Sequence, residues 1–274
     1  MQHNGREIGS FIATKEHRRF LEFANAVRKH RYIGLCYGPA GVGKTLSARR
    51  YAHWDVVELF LEKWPHDDRS DSEPAVTLAR TRTIFYTPSV SETLRDMRKS
   101  LGDQLWHAED SIDQHLNYNE DFEQIHEHKT DIELLIFDEA ERLSMNAVEY
   151  IRSIFDKKSI GVMLIGMPGM EKRLSRFPQF YSRVGFAHNY RPLTGDELTF
   201  VLTRHWRSLG INLDGADFTD VQAVATIARI TGGNFRLLHR LFTQIERIMK
   251  INDLTVITDD VVEAARSTLV IGVT

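Results

Sequence analysis

Gly38-Pro39-Ala40-Gly41-Val42-Gly43-Lys44-Thr45 is the stretch from which the rest of the chain is read. It fits the pattern G-x-x-x-x-G-K-[ST], and its context fits too. The apolar run Tyr32 to Tyr37 before it reads as a buried strand, and Lys44 to His53 after it as a helix. Glycines let the backbone turn tightly enough for its N–H groups to face inward. Those amides and the start of the helix form a cradle for phosphate oxygens. Lys44 would reach the β- and γ-phosphates of a nucleotide, and the Thr45 hydroxyl would bind Mg²⁺. The plain alternative is a glycine-rich turn with an exposed lysine.

Working outward, Leu134-Leu135-Ile136-Phe137-Asp138-Glu139 sets two carboxylates after an apolar run, 94 residues beyond Lys44. The run suits a strand buried beside the loop's strand. The carboxylates then emerge at the C-terminal edge of the sheet, where ligands bind in such folds. Asp138 would hold Mg²⁺ through its waters. Glu139 would orient and deprotonate an attacking water.

Further strands are expected at Arg82 to Tyr86, Ile132 to Phe137, Ile160 to Ile165 and Val184 to Tyr190. Helices are expected over residues 15–30, from Ser91 to Leu105, and from a Ser144 cap to about Lys157. Val56 to Trp64 has helical character, and the polar stretch Pro65 to Pro74 reads as loop. After Arg191 the pattern changes to four helix-period segments, near 195–209, 217–230, 234–250 and 259–268. Strands alternating with helices imply a parallel sheet covered on both faces. The expected fold is therefore α/β: a five-stranded parallel phosphate-loop core over residues 1–190, with a small helical lid over 191–274.

The 274 residues, 42% hydrophobic and 27% charged, have ordinary globular composition. The single cysteine, Cys36, excludes an internal disulfide framework. It reads as a small buried strand residue. A reducing, cytoplasmic setting is expected. Met1 to Ser10 has no signal-peptide core, and no apolar run is long enough to span a membrane. The net charge of −3 hides an uneven distribution. Residues 1–53 hold ten Lys/Arg against three Asp/Glu; residues 103–131 hold nine Asp/Glu against one Lys. The stretch 106–130 reads as an acidic insertion, partly helical and facing solvent. His126 and His128 within it lack the further ligands a metal site needs. Trp54 and Trp64 read as core by default, with anchoring of a partner as the alternative.

Together these residues resemble an AAA+ ATPase, over roughly residues 10–250. The resemblance implies ATP as ligand and further site residues. Gly161 to Gly166 sits where the family carries its sensor 1 strand, yet Gly166-Met167-Pro168 lacks the usual polar side chain, which implies slow, regulatory hydrolysis. Thr87, at the end of the second strand, would supply a polar contact or be a turn residue. Arg183 and Arg176 sit where the family has its arginine finger, with Arg183 preferred and a surface ion pair as the alternative. Such a finger acts across a subunit boundary and so implies self-association into a ring or filament. Gly232-Gly233-Asn234-Phe235-Arg236 resembles the sensor 2 motif, with Arg236 its charge. The adenine is expected near Ile12, where Phe11 and Ile12 would otherwise be core.

Within AAA+ the chain resembles transposition regulators of the Mu B, TniB and TnsC type. The stretches Phe11 to Phe20, Leu134 to Leu143 and Phe180 to Phe186 carry the likeness. It implies assembly on duplex DNA with ATP, and delivery of that DNA to a transposase. Arg95, Arg98 and Lys99 are the expected sequence-independent DNA contacts, an exposed helix with local charge pairs being the plain alternative. Two other readings stand beside it: an ATP-switched protein–protein adaptor without DNA, and a replication-type helicase or clamp loader. About 24 residues follow position 250, fewer than the added winged-helix domain of such loaders needs.

Overall fold

A computed structural model describes residues 11–63, 72–117 and 132–269. In chain order α1 (Lys15–His30), β1 (Ile33–Tyr37), α2 (Lys44–Tyr51), α3 (Trp54–Glu62), α4 (Glu73–Thr81) and β2 (Thr83–Tyr86) lead to the long α5 (Leu94–Asn117). Next come β3 (Leu134–Phe137), a 3₁₀ turn at Ala140–Arg142, α6 (Met145–Lys158) and β4 (Gly161–Gly166). The short α7 (Met170–Leu174) and α8 (Pro178–Tyr181) precede β5 (Val184–Asn189). Four helices follow: α9 (Asp196–Ser208), α10 (Phe218–Thr231), α11 (Phe235–Ile251) and α12 (Asp259–Ser267). The chain forms two compact units, one of Arg19–Ala40 with Lys44–Tyr190, the other of Met1–Arg18, Gly41–Gly43 and Arg191–Thr274. No helix among the described residues is long and apolar enough to cross a membrane.

The larger unit holds the expected five-stranded parallel sheet, ordered β2-β3-β4-β1-β5. Every residue of β2, β3 and β4 is buried, which is why these strands read as unbroken apolar runs. The edge strand β5 alternates half-buried and exposed residues. Gly34 lets α1 come down onto β1: a Cβ there would lie 2.4 Å from Val27 Cγ2. Phe20, Ala24 and Val27 of α1 are fully buried, as are Cys36 and, on α3, all but a trace of Trp54. The strand order brings the ends of β1, β4 and β3 to one edge of the sheet, and the candidate site is built there.

Two expectations are corrected. Pro74 does not end a loop but lies in the first turn of α4, capped by Ser72, whose Oγ accepts the Ala75 N–H at 3.5 Å. Proline is tolerated there because the N–H it lacks would have no helical acceptor in the first turn. The helix after β2 does not stop at Leu105. It runs to Asn117, burying Met97, Leu101, Leu105, Ala108 and Ile112 on one side, so residues 106–117 are not simply solvent-facing. The remainder of the acidic insertion, with His126 and His128, and Trp64 lie outside the described residues.

In the smaller unit the four expected helices pack around Trp206, Leu238, Leu241 and Ile245, all fully buried. Trp206 Nε1 donates to Asp220 Oδ1 at 3.2 Å, and the second oxygen of Asp220 accepts the Asp214 N–H at 2.8 Å, so the buried carboxylate is satisfied. His205 stacks on Phe242 with ring centroids 4.4 Å apart. Burial, with His239 nearby, pushes its pKa down to about 4. The folded chain thus keeps this ring neutral, while the unfolded chain protonates it near pH 6.5. The stability of this unit is therefore expected to fall as pH drops from about 6.5 towards 4, by on the order of 2 kcal/mol. A His205→Phe variant should lose that component of the pH dependence, read from thermal unfolding across the range.

Candidate active site

The phosphate loop is shaped by positive φ at Gly41 (80°) and Gly43 (110°), conformations that side chains with a Cβ resist. Its root is fixed by backbone. Gly38 N–H donates to Gly166 O at 3.3 Å, and a Cβ on Gly38 would lie 2.2 Å from Tyr190 O. Tyr190 is held in turn by its N–H to Tyr37 O at 2.8 Å and by its hydroxyl to Ser47 Oγ at 2.8 Å. Lys44 folds back into the loop, donating from Nζ to Gly38 O at 2.6 Å and Pro39 O at 2.8 Å. Ala40 and Val42 complete the curve, Val42 buried.

At the next turn of backbone, Thr45 Oγ1 donates to Asp138 Oδ2 at 2.6 Å, although 93 residues separate them. The two oxygen groups that the sequence marks as Mg²⁺ ligands therefore meet. Asp138 is 4% exposed. Burial raises its pKa; the Thr45 hydroxyl and the Glu139 N–H oppose that rise by bonding the charged form. Glu139 follows in a left-handed conformation (φ 49°, ψ 44°) and forms an ion pair with Arg142, one turn on.

The remaining candidates fall into place around the two units. Arg236 opens α11, exposed; its N–H donates to Gly41 O at 3.1 Å, and Asn234 caps the same helix through its side chain. Ile12 is half-buried and packs against the helical core of the smaller unit, while Phe11 is more exposed, edge-on to His17. Arg183 stands before β5 in a two-pronged pair with Asp156, at 2.5 and 3.0 Å. Arg176 and Thr87 are exposed. Gly166, at the tip of β4, has no room for a side chain as the neighbours stand: a Cβ would meet Met170 Sδ at 2.6 Å and Glu141 Oε2 at 2.7 Å. Its carbonyl is the one that takes the Gly38 N–H. Arg95, Arg98 and Lys99 are exposed on α5, with Arg98 lying 5.0 Å over the Tyr150 ring.

A family model described as AAA domain matches residues 27–174, the span that contains the loop, the acidic pair and β4. A Staphylococcus aureus protein described as a potential ATP-binding protein is 44% identical over 271 residues, covering 96% of this chain and 98% of that one. The chain belongs to the AAA domain family. Solved structures agree on the fold. The Thermotoga maritima RuvB Holliday junction branch migration motor superposes with a TM-score of 0.54 at 19% identity, over 93% of this chain and 69% of that one. The Aeropyrum pernix ORC2 protein in its ADP form gives 0.57 at 12%, over 97% and 71%.

This AAA protein is an ATPase, and its fold implies ATP as the ligand. The residues present fit that ligand with its cation. The loop supplies inward-turning backbone and one ammonium for phosphate. The Thr45 hydroxyl and Asp138 carboxylate are hard oxygen donors of the kind magnesium takes one or two of, leaving water and phosphate for the rest. In keeping with so spare a donor set, the described residues contain no group of three or more His, Cys, Asp or Glu able to hold a metal. Sequence reasoning missed two members of the AAA site's surroundings. Tyr190 braces the loop root, and Arg142 joins Glu139 to the loop after β2, donating to Pro88 O at 3.0 Å. The position of Arg142, three residues after Glu139, was the available signal.

Proposed function

We propose that this ATPase is an ATP-switched regulator that assembles on duplex DNA and presents that DNA to a transposase. In this reading the loop amides of residues 40–43 and Lys44 hold the phosphates, with Gly38 and Pro39 forming the root of the loop, Thr45 and Asp138 hold Mg²⁺, and Glu139 activates the attacking water. Arg236 senses the γ-phosphate from the helical lid of residues 191–274, and the adenine lies near Ile12. Arg183 of one copy reaches the nucleotide of the next, leaving Asp156 to do so, which makes nucleotide and self-association mutually dependent. Turnover is slow, because the tip of β4 offers glycine where a polar side chain would contact phosphate or water.

The observation that carries the DNA half is the exposed cationic face of α5. Arg95, Arg98 and Lys99 stand clear of the buried Met97 and Leu101, in the segment that follows the β2 loop. No aromatic side chain interleaves them, which favours phosphate contacts over base stacking. The likeness to transposition regulators supports the transposase as recipient, and the fold shared with a branch migration motor is compatible with DNA as the track.

The test is fluorescence anisotropy of a labelled random-sequence duplex, without nucleotide, with ADP and with a non-hydrolysable ATP analogue, across a salt series. Binding is expected only with the ATP analogue and should weaken steeply with salt. Replacing Arg95, Arg98 and Lys99 together by alanine should flatten the slope of log K against log salt by about 1 for each phosphate-binding cation removed. Absence of binding in every nucleotide state would overturn the DNA reading in favour of a protein–protein adaptor.

A further inference from the structure

The helices of the smaller unit use their arginines in different ways. Glu263 of α12 holds Arg229 of α10 at 2.6 Å and its own neighbour Arg266 at 3.2 Å. Arg204 and Arg207 of α9 and Arg240 and Arg247 of α11 are exposed instead, and among the described residues none of these four guanidinium groups pairs with a carboxylate. The two helices touch. His205 of α9 stacks on Phe242 of α11, and Trp206 meets the same ring edge-on with centroids 5.4 Å apart. All four arginines lie within five residues of that contact along their own helices. Carboxylates on α9 and α11 are few. Glu197 accepts the Glu16 N–H at 3.0 Å, and Glu246 pairs with Lys250 at 3.4 Å. Asp196 stands eight residues before Arg204, about 12 Å of helix away.

A cluster of guanidinium groups without carboxylates calls for an anion from outside. The fork of an arginine fits carboxylate and phosphate alike, so the rest of the face decides between them. A protein partner is held by an apolar centre within a polar rim. On these helices the exposed large apolar side chains are Phe200 and Ile251, four residues before Arg204 and four after Arg247, outside the run of arginines. A positively charged surface with no apolar centre has the character of a nucleic-acid interface. No Phe, Tyr or Trp is exposed between the arginines, since Trp206 and Phe242 are buried, which favours the backbone of a duplex over stacking on bases. Arg240 and Arg247 are about 10.5 Å apart along α11, and a strand of B-DNA carries a phosphate every ~3.4 Å of axis, so the pair can span several phosphates.

We propose that the α9–α11 face of the smaller unit is a second DNA surface, on which Arg204, Arg207, Arg240 and Arg247 hold the phosphates of a duplex without regard to sequence. This rests on the reading of the protein as a DNA-binding ATPase, and adds to it a surface outside the unit that carries α5. None of the four arginines has a part in the nucleotide site. The face therefore governs how tightly, and up to what salt, the duplex is held, and not the rate of hydrolysis.

The test is anisotropy of a labelled random-sequence duplex with the full chain and a non-hydrolysable ATP analogue, across a salt series. Arg204→Ala with Arg207→Ala, and Arg240→Ala with Arg247→Ala, should each flatten the slope of log K against log salt by about 2. Lysine at the same pairs should keep the wild-type slope to within about half a unit. ATP hydrolysis without DNA and the melting temperature should stay at wild-type values, as a merely structural loss would not allow. A wild-type slope in both alanine pairs would overturn the second surface and leave DNA binding through α5 standing. The same slope with weakened self-association, read by sedimentation of the protein alone, would give the face to carboxylates of another copy and overturn it too. Lysine pairs as flat as the alanine pairs would show that charge is not what the face supplies. If the wild type binds no duplex in any nucleotide state, the DNA reading itself falls and the second surface with it.

Discussion

Lys44→Ala should bind ATP at least about 30-fold more weakly than wild type, since truncating one partner of a buried charge contact costs about 2–5 kcal/mol. Lys44 is 9% exposed, and its ammonium is already positioned inside the loop by the carbonyls of Gly38 and Pro39, 2.6 and 2.8 Å away. Alanine removes the one mobile positive charge of the loop. It also leaves the Gly38 and Pro39 carbonyl oxygens without their Lys44 donor. The lost charge acts against the anion, and neither change touches the adenine. The variant should still fold, because the loop root depends on Gly38, Tyr37 and Tyr190 backbone rather than on Lys44. Titration with a fluorescent ATP analogue measures the loss, and circular dichroism checks the fold. ATP-dependent assembly and duplex binding should vanish with it. An unchanged dissociation constant would remove Lys44 from the phosphate site.

What was readable in the chain beforehand, and what was not, divides by the range of the interactions involved. The strands β2, β3 and β4 are buried on both faces, so Ile84-Phe85, Leu134 to Phe137 and Val162 to Ile165 had to be apolar without interruption, and any reading by pattern finds them. The phosphate loop is a local solution, with glycines at positions 41 and 43 where φ is positive, and it carries its signature in eight consecutive residues. The helix α4 hid behind Pro74 and is only nine residues long, too short for an apolar period to stand out. The far half of α5 hid for another reason: its buried side there is Ala108, Ser111 and Ile112, small or isolated among charges, while Trp106 on the other side is 57% exposed. The partners of Arg142 and Arg183 were beyond reach. Pro88 and Asp156 lie 54 and 27 residues away from them, and only the parallel order of the strands brings them near.

Glu139→Gln is the change that separates binding from turnover. Gln has the shape of Glu and leaves Asp138 with its Thr45 hydroxyl donor at 2.6 Å, so the acidic pair's cation-binding half should survive intact. What it loses is the ability to take a proton from water. Removing a positioned general base costs about 10²–10⁴ in rate, and kcat should fall by that factor with ATP affinity held. Single-turnover hydrolysis of labelled ATP measures the fall, and equilibrium titration measures the affinity. The consequence for assembly follows from the same chemistry. If the ATP state is the one that holds DNA, a chain that binds ATP and does not cleave it stays in that state. Duplex bound in the presence of ATP should then persist as long as it does with the non-hydrolysable analogue, whereas wild type releases it at its turnover rate. Normal hydrolysis by the variant would place the base elsewhere. Abolished hydrolysis with duplex released as fast as from wild type would keep Glu139 as the base and show that ATP cleavage is not what lets go of the DNA.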